Sequence, residues 1–149
     1  MYTDTEIEEL RERAEKWDLS GRELLERYTP EELGEMYNGA GPDSWIPEAR
    51  EVLTKAMSLF KPAILIHDVQ FAQSDGSAIG FEQAVADWCR NTSRIVSIEF
   101  PLFTWRILSR SYRLNMAYWY GVMFAANAAI SSPEAKRTWI AAYNQKKGV

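Results

Sequence analysis

Ile64-Leu65-Ile66-His67-Asp68-Val69-Gln70-Phe71 is an apolar run interrupted by the only histidine of the chain and an aspartate directly after it. The run follows Pro62, a residue tolerated in the first turn of a helix and disruptive in its interior. The spacing therefore predicts a helix that starts at Pro62 and carries His67. One imidazole beside one carboxylate is the minimum equipment for base-activated or metal-assisted hydrolysis. With a single histidine, any mechanism that needs two is excluded, including that of the multi-histidine metal phosphohydrolases.

The segments on either side read the same way. Thr3-Asp4-Thr5-Glu6 supplies capping residues, and Ile7, Leu10, Ala14 and Trp17 then recur on one helical face. Ser20-Gly21-Arg22-Glu23 has the pattern of a capping box, opening a short helix to Tyr28, and Thr29-Pro30-Glu31-Glu32 starts another to about Met36. Asn38-Gly39-Ala40-Gly41-Pro42-Asp43-Ser44 breaks the pattern with two glycines and a proline. Pro47 then begins a helix to about Phe60, and Ser74-Asp75-Gly76-Ser77 is a second loop. Phe81, Val85, Trp88 and Ile95 form an apolar stripe on a long helix, with Ala84, Asp87 and Asn91 along its edge. Beyond Pro101 an aromatic helix runs to about Ile130, and Ser131-Ser132-Pro133-Glu134 caps a last helix that frays at Lys146-Lys147. No alternating β pattern, internal repeat or low-complexity segment interrupts this series, so the expected fold is all-α.

The 149 residues, 46% of them hydrophobic, suit one domain with a substantial core. Its parts are acidic helices over 1–36, a core over 37–95 and aromatic, basic helices over 101–146. Cys89 is alone and reads as a buried, inert thiol, so packing must hold the fold. The acidic start lacks the pattern of a secretory signal, and the longest apolar stretch, Met116 to Ile130, is short for a membrane span. A reducing, intracellular location, neither secreted nor transmembrane, is the expectation. Charge is uneven: residues 1–89 hold 8 basic and 19 acidic side chains, residues 90–149 hold 9 and 2. The two halves can pair within one fold, and because acidic residues dominate the first helices, direct nucleic-acid binding is not expected.

Three pieces share an order: Tyr37-x-Gly39-x-Gly41, then His67-Asp68, then Asp87 on the following helix. The arrangement resembles the phospholipase A2 superfamily, in its disulfide-free viral and phage style. That resemblance implies a two-helix core, with His67 as the general base, Asp87 orienting it and Asp68 as a calcium carboxylate. Tyr37, Gly39 and Gly41 would supply backbone oxygens to Ca2+. The implied reaction is calcium-dependent hydrolysis of a lipid ester, with phospholipid or a membrane surface as partner. Calcium takes six to eight oxygen ligands, which one carboxylate and several carbonyls can begin to supply.

The sequence departs from the family at Phe71, where a tyrosine hydroxyl would brace the orienting aspartate; Tyr112, Tyr118 or Tyr120 could substitute. Each piece also has a plainer reading. His67 can be a core histidine, the glycines an ordinary turn and Asp87 a solvated helix residue. The competing expectation is a catalytically silent scaffold, an accessory factor that binds and inhibits a host protein. It would use either its acidic N-terminal face or its aromatic C-terminal helices. Trp105, Tyr112, Tyr118, Trp119, Tyr120 and Phe124 read as core or as a subunit interface, which leaves a homo-oligomer open. Arg106, Arg110 and Arg113, at i, i+4 and i+7, read as a solvated or salt-bridged face.

Overall fold

The computed structural model describes residues 2–40 and 47–148. Among the described residues, seven α-helices follow one another: α1 (Asp4–Lys16), α2 (Pro30–Met36), α3 (Pro47–Ala56), α4 (Lys61–Ala72), α5 (Ala78–Glu99), α6 (Arg110–Ile130) and α7 (Pro133–Lys147). Short 3-10 turns at Arg22–Arg27, Ser58–Phe60 and Trp105–Leu108 link them, and no strand occurs among the described residues. The all-α expectation holds.

Local chemistry sets most boundaries. Thr3 and Thr29 each accept a hydrogen bond from the third helical N–H, while Glu6 and Glu32 reach back to the cap backbone, closing two capping boxes. Pro30, Pro62 and Pro133 all stand in first turns, and Ser77 and Ser132 cap α5 and α7. Three expected boundaries shift. Gly21 adopts φ 84° and opens a 3-10 turn without a side-chain cap, so the capping box expected at Ser20–Glu23 does not form. Ser20 is engaged elsewhere: its N–H donates to Asn91 Oδ1 (2.7 Å), and its carbonyl accepts from Asn91 Nδ2 (2.9 Å). The helix expected from Pro47 to Phe60 ends at Ala56, and the aromatic helix begins at Arg110 rather than just past Pro101.

α4 lies at the centre because its sequence is apolar on every side, and a helix of that kind has to be covered all round. Pro62 through His67 and Val69 are buried, and α1, α2, α5 and α7 pack around them. α5 returns antiparallel across the short 73–77 turn and presents Ala84, Trp88, Thr92 and Ile95 inward. α6 packs on α5. The main core joins Ile7, Leu10, Leu25, Leu33, Leu65, Ile66, Ile95 and Met123, and a smaller cluster of Phe81, Ala84 and Trp139 holds α7. Each fully buried aliphatic side chain contributes about 1.5–3 kcal/mol relative to exposure.

Candidate functional site

The loop after α2 meets α4 directly. Asn38 N–H and Gly39 N–H both donate to the same oxygen, Asp68 Oδ2, at 2.9 Å each. Ala40 N–H donates to Thr54 Oγ1 of α3 at 2.8 Å. Gly39 is required for two reasons: its φ is 78°, and a Cβ there would stand 2.7 Å from Thr54 Oγ1. Tyr37 is buried, with its ring 4.4 Å from that of Tyr2. Its hydroxyl, beside Tyr2, makes no hydrogen bond of good geometry, and burial pushes its pKa well above the usual tyrosine value. Gly41, the third expected loop donor, lies outside the described residues, as do Pro42, Asp43 and Ser44.

Over the described residues, this geometry is a poor match to a calcium cradle. A cation needs carbonyl oxygens turned toward the carboxylate, whereas here the loop turns N–H groups toward it. The peptide bonds are trans, so the Tyr37 carbonyl points opposite to the Asn38 N–H and away from Asp68 Oδ2. Two N–H dipoles also place their positive ends where a cation would approach. Among the described residues, no cluster of three or more His, Cys, Asp or Glu side chains could hold a metal ion.

His67 points into the core of the helix pair. It is 8% exposed, its ring centroid lies 4.5 Å from Phe71 and 5.3 Å from Trp88, and its buried Nδ1 has no hydrogen-bond partner. Burial alone lowers its pKa to about 4. Asp87 is also buried, but the register of α5 turns Trp88 toward the imidazole and Asp87 toward the next turn of α4. There Asp87 Oδ2 accepts from Gln70 Nε2 (2.9 Å), and Oδ1 accepts from Gln83 Nε2 (3.1 Å) and Arg90 Nη1 (3.2 Å). The expected contact of Asp87 with His67 is not made. Tyr112 and Tyr118 do not brace Asp87 either, since their hydroxyls donate to the carbonyls of Pro101 and Ala56.

The fold thus brings the Tyr37–Gly39 loop to Asp68 and sets His67 and Asp87 on adjacent helices, without assembling a base–orienter pair. Gln83 and Arg90 stand four before and three after Asp87, so helical spacing could have flagged them. Thr54 and Gln70 carry no such signal, because their contacts depend on helix packing. Cys89 is half-buried, and burial raises its thiol pKa, which keeps it unreactive. An open cleft of about 440 Å³ lies along α1 between Glu8, Glu12, Glu15, Arg22 and Glu26, away from His67.

The strongest exposed feature lies past α5. Leu102, Phe103, Trp105 and Leu108 are exposed, Phe103 completely, and no acidic residue occurs between Glu99 and Glu134. Arg106 stacks over the Tyr112 ring at 4.7 Å, so the expected basic stripe is interleaved with aromatic side chains. No helix among the described residues is long and apolar enough to cross a membrane. Family models, curated proteins and solved structures were all compared with the chain, and none matches it.

Proposed function

We propose that the chain is a non-catalytic binding protein, a helical scaffold with the order of a phospholipase-like core but without its chemistry. The observation that carries this reading is the His67 imidazole, buried against Phe71 and Trp88 with no hydrogen-bond partner at its Nδ1. A general base has to reach a water and hold the proton it takes. An imidazole held neutral down to about pH 4 in an apolar surround is poorly set for either task. The binding surface is the exposed segment 102–108, where large apolar side chains surround Arg106. Large exposed apolar side chains grouped together mark interaction sites. The partner is a protein of the host cell, with an apolar recess and acidic groups for the arginine.

The second reading is a calcium-dependent lipid esterase. It is favoured by one observation, the packing of α4, which carries His67 and Asp68, directly against α5, which carries Asp87. Fatty-acid release from phospholipid micelles in millimolar calcium separates the two. The binding reading expects no release above background from the native chain or from His67→Gln, and equal, negligible calcium uptake by native and Asp68→Asn protein in calorimetry. Release that is lost in His67→Gln would establish the esterase. A complex with a cellular protein that survives His67→Gln and is lost in Phe103→Ala/Trp105→Ala is the positive result for the scaffold.

A further inference from the structure

The outer face of α6 carries an exposed apolar stripe, on which the Tyr118 hydroxyl reaches the Ala56 carbonyl. At about 100° per residue, Leu114, Ala117 and Tyr118 before Gly121 and Phe124, Ala125 and Ala128 after it fall within about 60° of Gly121 around the helix axis. All seven positions are exposed, Leu114 by 61% and Phe124 by 66%. The opposite face, with Tyr112, Trp119 and Met123, is the one turned to the core. No charged residue occurs between Arg113 and the end of the helix. Glycine in a helix interior costs about 1 kcal/mol against alanine. A Cβ on Gly121 would meet nothing within 4 Å among the described residues, so no contact there calls for its absence. Glycine is a residue used where a second backbone approaches closely.

The charges of α6 are complementary to those of a second α6. Arg110 is exposed in the first turn, on the line of the same stripe, where its charge sits at the positive end of the helix dipole. That first turn has no acidic residue, and the last turn has no basic one to meet the carbonyls at the negative end. Antiparallel pairing of two copies about a twofold axis at Gly121 sets each of these ends against the other. Residue 110 then lies opposite Ser132, beside the terminal carbonyls of the other copy. In the same register Ala117 faces Ala125, Tyr118 faces Phe124 and Leu114 faces Ala128. Small side chains therefore meet near the crossing and large ones flank it. An interface of this kind uses the same patch on both partners, as a closed dimer requires.

From this we infer that the exposed face of α6 is the seam of a homodimer, with α6 packed antiparallel on its copy and crossing at Gly121. The inference stands apart from the proposed binding function, since it uses none of residues 102–108. Sedimentation equilibrium on the full chain is expected to give a dimer in the micromolar range. Gly121→Leu fills the crossing point and is expected to give a monomer with undiminished helical circular dichroism, because the side chain enters open space and leucine favours the helix. Arg110→Glu is expected to weaken the dimer about tenfold, from two lost helix-end interactions.

Register is read by crosslinking in a Cys89→Ala background. Oxidised Gly121→Cys should crosslink to itself, and Ala117→Cys should crosslink to Ala125→Cys when the two chains are mixed. A native chain that stays monomeric, or a dimer indifferent to Gly121→Leu, overturns the proposal. So does crosslinking of Ala117→Cys to itself in preference to Ala125→Cys. A monomer that co-sediments with phosphatidylglycerol-containing vesicles, and not with phosphatidylcholine alone, would assign the stripe to lipid instead.

Discussion

His67 titrates in a setting that reverses its usual part in stability. Its pKa falls from the ordinary value near 6.5 to about 4 because Phe71 and Trp88 replace water around the ring. Between those values the unfolded chain binds a proton that the folded chain does not, so folding stability rises with pH from about 4 to about 6.5 and levels off above. The full span amounts to about 3 kcal/mol. Urea denaturation across this range should show that slope, and His67→Leu should flatten it; a slope that persists in His67→Leu would place its origin elsewhere. In NMR, the imidazole should stay neutral down to about pH 4. The sequence made His67 conspicuous but could not tell a base from a core residue. The difference lies in the register of α5: a rotation that brought Asp87 rather than Trp88 to the ring would have produced a dyad, and no feature near His67 in the sequence sets that rotation.

At the scale of elements, the most legible features were those built within four residues. The boxes at Thr3–Glu6 and Thr29–Glu32 and the first-turn prolines need no distant partner, and they form as the sequence suggests. Thr29→Ala should cost about 1 kcal/mol, measured as a shifted urea midpoint with an unchanged slope. The Ser20–Glu23 pattern fails because a buried Asn91 on α5 competes for the Ser20 backbone, a contact 71 residues away. The loop after α2 was legible only in its glycine. Gly39 is fixed by its left-handed φ and by Thr54 beside it, whereas the direction of its neighbouring peptides decides whether Asp68 meets N–H or C=O groups. Gly39→Ala should therefore destabilise by about 1–3 kcal/mol. Adding Thr54→Ser, which keeps the oxygen, should recover little of it. Full recovery would show that the missing methyl, and not φ and the hydroxyl, governs the site.

Across the whole molecule, the uneven charge of the sequence is resolved partly within the fold and partly left on the surface. Arg94 on α5 donates to the Trp17 carbonyl and pairs with Asp18 (3.1 Å), and Arg90 joins Asp87 and Ser20, so basic groups at the end of α5 tie down the acidic N-terminal segment. Arg106 and Arg110 take no part in this and remain exposed on the aromatic segment. Stability is distributed as unevenly. The main core links α1, α2, α4, α5 and α6, while α7 is held by Trp139 packed on Phe71 and Phe81, by Ser74 Oγ donating to the Trp139 carbonyl, and by Gly76 against the Tyr143 ring. An element attached through one small cluster opens at lower free energy than the core it rests on. Amides of 133–147 should therefore exchange with solvent well before those of α4. Removing a buried tryptophan costs about 3–5 kcal/mol where the whole fold must bear it. In Trp139→Ala the loss should be limited to the docking of α7, whose amides become unprotected while α4 protection falls by much less. Equal loss of protection in α4 and α7 would mean that the small cluster and the main core melt as one unit.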